Sequence, residues 1–224
     1  MRQPVKGKTE AGRRREQRAR RTRDRIVEAA TRLFLDRGYV ATTVDALARD
    51  AGVATATVYQ AFGTKEAILA AGLDFTIAGD LEPVAVLDRE WVRAVRGEPD
   101  PVQRLRLVIH NTTEIAARTA AIKEVMRDAA AIEPSIRDLI QQDHEGRYKT
   151  QQTLVEVLLA ESAGHSGSRG PSAVDTFFTL VNSDVFRLFV GHLGWTIQEW
   201  REWLYQLLSR DLFEPDGRSQ ANAS

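Results

Sequence analysis

Glycine spacing near the N-terminus limits the possible folds more than any other feature of this sequence. Gly38, Gly52 and Gly63 divide residues 21–77 into four segments. Apolar residues in these segments recur at helical intervals, most clearly over residues 26–34, and such a stripe is typical of the buried face of a helix. Glycine readily adopts the positive φ with which many helices end. The pattern therefore predicts four consecutive helices.

Threonines mark the expected starts of the second and fourth helices. Thr42 and Thr43 are both candidate N-caps of the second helix. With Thr42 as the cap, Asp45 falls at the third helical position and forms an approximate capping box. Thr64 is the candidate cap of the fourth helix, which starts at Lys65.

The rest of the chain is also predicted to be helical. No segment alternates apolar and polar residues for long enough to indicate a strand, so we expect no sheet. Glycine and proline clusters separate the further segments. We therefore expect an all-α fold of about nine to ten helices, with an N-terminal helix-turn-helix domain of three helices and a C-terminal helical domain. The additional predicted helices are 83–96, 101–118, 120–131, 135–161, 172–192 and 196–211.

Charge is distributed unevenly along the chain, although the formal net charge is zero. Residues 1–25 contain eleven basic and three acidic side chains, and the remainder of the chain is acidic by the same margin of eight. Residues 1–19 contain few apolar side chains and are predicted to form a disordered basic arm. A basic arm on an acidic body indicates a polyanionic partner at one end of the molecule.

Several functional classes are excluded or disfavoured by composition. The chain has no cysteine, which excludes disulfides, thiolate zinc sites and a cysteine nucleophile. The four histidines lie in separate segments without metal-binding spacing, and the sequence has neither a phosphate-binding loop nor a nucleophile elbow. We expect no catalytic residue, no metal and no cofactor. An enzyme remains the less favoured alternative, because ligand and substrate pockets look alike in a sequence.

The longest stretch without a charge also bears on localisation. It comprises Ala51–Thr64, and its fourteen residues are too few to span a membrane. No apolar stretch follows the basic N-terminus, so it does not indicate a secretory signal. The expected localisation is cytoplasmic, with no membrane partner.

The second and third helices have the spacing of a helix-turn-helix, with Ala51–Val53 as the turn. In such a unit the helix after the turn enters the major groove of DNA. The third helix, Ala54–Phe62, has no charged side chain and offers hydroxyls, one amide and methyl groups, which can contact base edges. By itself, the spacing is equally compatible with a plain three-helix bundle.

Residues 22–69 resemble the DNA-binding domain of the tetracycline-repressor (TetR) family in both spacing and residue type. Beyond residue 69 the chain resembles the family only in its general plan. Two positions depart from the pattern: Ala54 stands where the family commonly has a capping serine, and Ala61 stands where it often has histidine. The matching residues are Gly38-Tyr39-Val40-Ala41-Thr42-Thr43-Val44, Leu47-Ala48, Ala51-Gly52-Val53, Thr57-Val58-Tyr59, Phe62, Thr64-Lys65-Glu66 and Leu69.

The resemblance implies a homodimeric transcription factor, usually a repressor that a small molecule releases from a pseudo-palindromic operator. A constitutive or architectural DNA-binding dimer that senses nothing is the alternative. The implied domains are the basic arm over 1–19, the DNA-binding domain over 20–66, the ligand-binding and dimerisation domain over 67–212, and a disordered tail over 213–224.

The resemblance also implies roles at the DNA surface. Thr43, Tyr59 and Lys65 are expected to contact phosphates, and Thr55, Thr57 and Gln60 are the candidates for base edges. A glutamine without an arginine in this helix predicts a preference for adenine and thymine over guanine. The complete predicted DNA-binding set is Arg21, Arg23, Thr42, Thr43, Thr55, Thr57, Tyr59, Gln60 and Lys65.

Two further sets are predicted in the C-terminal domain. Large apolar residues at helical spacing in the last two predicted helices indicate a four-helix dimer interface, although the same spacing would arise if each stripe faced its own core. The predicted interface comprises Phe177, Leu180, Val181, Val185, Leu188, Phe189, Trp200, Trp203, Leu204 and Leu207. The candidates for a small-molecule pocket, each also compatible with plain core, are Phe75, Trp91, His110, Asn111, Met126, Tyr148, Phe178 and Asn182.

Overall fold

The structure is a computed structural model that describes residues 9–160 and 171–213. Within these ranges the chain forms ten α-helices and no strand, which confirms the all-α class. The predicted tail lies outside the described residues except for Phe213, which ends the last helix. Among the helices in these ranges, none combines the length and hydrophobicity that crossing a lipid bilayer requires.

Four helices form the N-terminal domain around one apolar core. The helices are α1 (Glu10–Ala41), α2 (Val44–Asp50), α3 (Thr55–Phe62) and α4 (Lys65–Ala78). Their apolar stripes meet because each helix is too short or too polar on its outer face to be stable without packing. The innermost side chains, all 0–1% exposed, are Ile26, Phe34, Leu47, Val58, Ile68 and Leu69.

Helix α1 begins about three turns earlier than the sequence suggests. The prediction of disorder over residues 1–19 is wrong for residues 10–19, which are helical, whereas residues 1–8 lie outside the described part. Thr9 caps the helix by accepting a hydrogen bond from the Gly12 amide, and Arg14 pairs with Glu10 at 2.6 Å. Extending an existing helix needs no new nucleus, so a polar segment rich in alanine, arginine and glutamate can continue the packed helix.

The turn between α1 and α2 differs in detail from the prediction. Gly38 has φ 75° and ψ 174°, so it interrupts the helix with a positive φ but not in the left-handed helical conformation. Thr43, not Thr42, caps α2 by accepting from the Ala46 amide. The Thr42 hydroxyl is buried and donates to the carbonyls of Leu33 and Gly38.

The C-terminal domain has six helices, and three of its boundaries correct the predictions. In the predicted helix 83–96, residues 83–89 form a loop with a short 3-10 turn, and α5 begins only at Glu90. The predicted helices 101–118 and 120–131 form one continuous helix, and the predicted helix 172–192 is broken. Asn182 causes the break because its extended backbone and its side chain cap a new helix. The helices are α5 (Glu90–Gly97), α6 (Pro101–Ala130), α7 (Pro134–Leu159), α8 (Pro171–Leu180), α9 (Ser183–Phe186), which continues as a π-helical turn over Arg187–His192, and α10 (Ile197–Phe213).

Helix α6 connects the two domains. Its C-terminal half packs into the core of the N-terminal domain through Ile122 and Met126. Its N-terminal half packs into a second core around Phe177 and Trp200. Helix α4 lies against both α1 and α6, so one helix of the N-terminal domain also forms a wall of the C-terminal domain.

Candidate DNA-binding surface and ligand cavity

Helix α3 presents an uncharged face to solvent. Val58 is fully buried and anchors the helix to α1 and α2. On the opposite side Tyr59 is 52% exposed, Gln60 is exposed, and Thr57 is half-buried. The side chains predicted to contact DNA on α3 therefore have surface that a partner can reach.

The start of α3 is held by a hydrogen bond of Thr55 and not by a side-chain cap. Ala54 occupies the cap position and makes no capping hydrogen bond. Thr55 donates its hydroxyl to the carboxylate of Asp45 on α2 at 2.7 Å. This bond joins the two helices of the helix-turn-helix, and it leaves the Thr55 oxygen as an acceptor only.

Lys65 lies at the start of α4, close to the C-terminal end of α3. Its ammonium is 4.0 Å from the centre of the Tyr39 ring, and partial burial lowers the pKa of the lysine. Burial, the charge of Glu66 and a hydrogen bond from the phenol to Glu66 raise the pKa of Tyr39. The lysine is held against the protein by a cation–π contact, which fixes the position of its charge.

Three other residues of the predicted DNA-binding set occupy different environments. Arg21 is exposed, whereas Arg23 donates to the Ala61 carbonyl at 2.7 Å and lies 4.0 Å from the centre of the Phe62 ring. Arg23 therefore binds the C-terminal end of α3 to α1, and its guanidinium is already engaged within the protein. The Thr42 side chain is 0% exposed, so including it among the contact residues is wrong.

A cavity of about 790 Å³ lies between α1, α4, α6 and α7, under the loop that precedes α5. Phe75, Trp91 and Met126 line it, as the sequence predicted. This volume is in the range of small-molecule sites.

The other five residues predicted to line a pocket do not line this cavity, because their side chains serve local structure. His110 borders a separate, shallower pocket beside α10. Asn111 donates to the Leu107 carbonyl of its own helix, and Asn182 caps α9. Tyr148 donates to Asp175 at 2.9 Å, and Phe178 lies edge-on against Tyr148 with a ring separation of 5.3 Å.

Polar residues line much of the cavity, and sequence reasoning missed them. Lys123 and Asp143 form a half-buried ion pair at 2.7 Å across α6 and α7. The charged and polar side chains come from separate segments, so no spacing in the sequence could have grouped them. They include Arg23, Asp24, Asp74, Lys123, Asp143, Arg147, Gln151 and Ser183.

Helix α4 belongs to both sites. Its N-terminal end carries Lys65 beside the DNA-binding surface, and residues 70–78 include seven that line the cavity. Arg118 on α6 donates to the carbonyls of Thr76 and Ile77, at 3.2 and 3.1 Å, and so holds the other end of α4. A shift of α4 at the cavity would therefore also move Lys65 beside the candidate DNA-binding surface.

Burial divides the predicted dimer interface into two groups. In the first group each side chain is at most 6% exposed within the subunit, so its assignment to an interface is wrong. This group comprises Phe177, Val181, Trp200 and Leu204. These four side chains fill the second core because α8 and α10 face α6 and α7. Of the rest, Leu188 is 50% exposed, and the partly buried members are Leu180, Val185, Phe189, Trp203 and Leu207.

Comparisons with known proteins relate the N-terminal domain to one family. Residues 26–71 match the family model described as bacterial regulatory proteins, tetR family. The HTH-type transcriptional regulator HbdR from Aromatoleum sp. (strain CIB) is 39% identical over 83 residues, which cover 37% of this chain. The matched stretch spans 33% of the length of HbdR.

Solved structures share the fold across both domains. A transcriptional regulator from Saccharomonospora viridis in complex with choline aligns with a TM-score of 0.63 at 18% identity, covering 86% of this chain and 98% of its own. FadR from Bacillus subtilis in complex with stearoyl-CoA aligns with a TM-score of 0.61 at 19% identity, covering 82% and 96%. At these identities the likeness shows the fold.

Proposed function

Because residues 26–71 carry the N-terminal domain of the tetR family of bacterial regulatory proteins, we propose that this chain is a sequence-specific DNA-binding transcriptional regulator. It acts as a homodimer on a pseudo-palindromic operator. A small molecule releases it, so its role is that of a repressor and not of an enzyme. The observation that carries the proposal is the uncharged, exposed face of α3, anchored by buried Val58 next to two helix N-termini.

The contacts proposed at the DNA follow from the accessible groups. Thr57 and Gln60 face base edges, while Thr43, Tyr59 and Lys65 contact the phosphates on either side. Thr55 contributes as an acceptor only, because Asp45 takes its proton. Arg21 and the basic residues of α1 add attraction that does not depend on sequence.

The dimer is proposed to form through the C-terminal helices. Exposed apolar residues occur near the start of the π-helical turn, just after the turn and at the start of α10, where Leu188, Leu193 and Ile197 are 50%, 60% and 39% exposed. Large exposed apolar patches mark protein interfaces, so these residues are the candidates for the dimer contact. A twofold dimer would place the two α3 helices about 34–36 Å apart, or a multiple of that distance.

The response to a small molecule is proposed to pass through α4. The cavity beside α4 supports this, as do the ligands present in two proteins of the same fold, choline in one and stearoyl-CoA in the other. Ligand would favour an arrangement in which α4 moves the two α3 helices out of register with successive major grooves. A difference in affinity of ~10⁴-fold between the two arrangements would nearly complete the switch.

Selection of DNA sites by the purified protein tests the proposal. We expect one enriched pseudo-palindrome, bound by the wild-type dimer and no longer bound by the double variant Tyr59→Ala/Lys65→Ala. Lys149→Ala, an exposed lysine on α7, is the control for removal of a charge. Undiminished binding by the double variant, or a strictly monomeric protein, would contradict the proposed function.

A further inference from the structure

The charges that line the cavity indicate which class of molecule fits it. This inference rests on the proposed function, because it treats the cavity as the effector site. Acidic side chains outnumber basic ones five to three along the lining. A ligand can use only those charges that have no partner within the protein.

Three acidic residues of the lining, Asp24, Asp74 and Glu82, make no side-chain hydrogen bond or ion pair within the described residues. Among them, Asp74 on α4 lies near a second carboxylate, that of Asp143. Asp74 is exposed, yet nearby protein partly desolvates its carboxylate and raises its pKa. The charge of Asp143 raises the pKa further, and the charge of Arg23 lowers it. A bound cation would compensate this carboxylate better than the protein does.

The three basic residues of the lining are already engaged. Lys123 is paired with Asp143 at 2.7 Å. Arg23 donates to the end of α3. Arg147 donates to the carbonyls of Phe178 and Val181 and lies 3.7 Å from the centre of the Phe178 ring. A ligand anion would therefore have to displace existing partners of Lys123 and Arg23, whereas the Nε of Arg147 has no hydrogen-bond partner among the described residues. This one donor stands against three acidic side chains of the lining that have no partner there.

Two buried polar groups, on α7 and α9, also line the cavity. These are Gln151 and Ser183, which are only 5% and 6% exposed. The Gln151 amide donates to the Val181 carbonyl, while its oxygen Oε1 and the Ser183 hydroxyl have no partner among the described residues. Buried polar atoms normally have hydrogen-bond partners. Oε1 of Gln151 can only accept, so the group that fits it is a donor.

Part of the cavity is lined by apolar side chains. Phe75, Trp91, Ile115, Met126 and Leu154 contribute to its walls. Along α7, the lining residues Asp143 and Gln151 are eight residues apart, so the lining extends about 12 Å along this helix. The cavity therefore suits an elongated molecule and not a compact one.

We infer that the effector is an elongated organic cation, in which an N–H-bearing ammonium faces Asp74, an apolar body fills the middle, and a hydrogen-bond donor reaches Gln151 and Ser183. The ammonium carries N–H groups because a carboxylate with free acceptor sites gains charge-assisted hydrogen bonds from them. A quaternary ammonium offers charge without these bonds.

Direct binding of matched probes, measured by calorimetry on the wild-type protein, tests the cationic end. We expect octylamine to bind at least about tenfold more tightly than octanol, octanoate and octyltrimethylammonium, because hydrogen bonds to charged groups are the stronger ones. Asp74→Asn should weaken octylamine about tenfold or more and leave octanol unchanged, whereas Asp128→Asn, an exposed aspartate on α6 outside the lining, should change neither. Failure of octylamine to bind, or equal binding of octanoate or octyltrimethylammonium, overturns the inference.

Aminooctanol tests the second end. Its hydroxyl should improve binding over octylamine in the wild type, and Gln151→Leu together with Ser183→Ala should remove that gain while octylamine still binds. No gain in the wild type overturns this half of the assignment. These measurements contain no DNA, so a protein that binds its operator but not octylamine refutes the ligand class and leaves the proposed regulator intact.

Discussion

Adjacent threonines at the start of α2 have different roles because one hydroxyl faces the protein and the other faces solvent. Thr42 donates to two backbone carbonyls from a buried position, and Thr43 accepts from the Ala46 amide at an exposed cap. Thr42→Val should lower the free energy of unfolding by about 1–3 kcal/mol, since it removes a buried donor. Thr43→Val should lower it by ~1 kcal/mol, the usual value of a cap.

Urea denaturation of both variants, paired with DNA binding, separates the two roles. We expect Thr42→Val to bind DNA normally once folded and Thr43→Val to bind more weakly. The reverse order of affinities would show that the buried hydroxyl is not merely structural.

Because of Asp74, we expect the stability of the unliganded protein to depend on pH. Its pKa is raised on folding from its ordinary value of 3.8, so the folded state holds this proton more tightly than the unfolded chain does. Stability therefore falls as pH rises above 3.8 through the folded pKa. Asp74→Asn should raise the melting temperature at pH 7.

The same variant should show no advantage well below pH 3.8, where both states are protonated. Arg23, Lys123 and Asp143 face the same region and are unchanged in the comparison. Thermal melts of wild type, Asp74→Asn and Asp128→Asn across this range provide the check. If Asp74→Asn melts at pH 7 at the wild-type temperature or below it, other groups of the protein already stabilise the charge of Asp74.

Gln60 is the residue on which the expected operator composition depends. Its amide can donate to and accept from adenine, and no arginine on α3 offers the matching contact to guanine. Gln60→Ala should relax selection at one position of each half-site by about 1–3 kcal/mol. Binding-site selection measures this, with Gln152→Ala on the exposed face of α7 as the control. Guanine-dominated half-sites that do not change in Gln60→Ala would refute the contact.

At the scale of the element, the N-terminal extension of α1 places the basic residues of this segment along one continuous helix. Because residues 10–25 are helical, their arginines have fixed positions relative to α3, to which Arg23 joins them. Replacing Arg13, Arg14 and Arg15 by glutamine should reduce the salt dependence of DNA affinity, by roughly 0.9 in logarithmic slope for each phosphate that the variant no longer neutralises.

Sequence preference should survive this triple replacement, since phosphates carry no base identity. Affinities measured across a salt series, with selection repeated on the variant, give both quantities. An unchanged slope would mean that the extension points away from DNA.

At the scale of the whole molecule, burial separates residues that hold one subunit together from those available to a second. Leu188 is half exposed, whereas Trp200 is buried. Leu188→Glu should give a folded monomer with weakened operator binding, and Trp200→Ala should cost about 3–5 kcal/mol of stability by opening a cavity. Sedimentation and thermal melts distinguish these results. Ile132→Glu, at a position 63% exposed just beyond the C-terminal end of α6, is the control and should leave assembly unchanged.

Local pattern was sufficient to locate α2, α3 and α4 of the N-terminal domain, but not the start of α1. Glycine at a positive φ and threonine at a helix start act within a few residues, so Gly52, Gly63 and Thr64 could be assigned from their neighbours alone. The same locality explains why the resemblance was visible in this part of the chain. The exposed face of α3 followed too, because a helix of eight residues with Val58 on one side must present Gln60 elsewhere.

The cavity and the division between core and surface required the tertiary structure. Phe177 and Leu188 have the same helical spacing and similar hydrophobicity, and only the packing of α8 and α10 against their neighbours decides that one is buried and the other exposed. Asp74, Gln151 and Ser183 lie on different elements and meet only because the helices enclose a common space. Periodicity reports which side of a helix is apolar, but it carries no information on what that side meets. The sequence alone determined an all-helical chain with a helix-turn-helix at its basic end, and the fold decided which groups line the pocket, because long-range packing has no local signature.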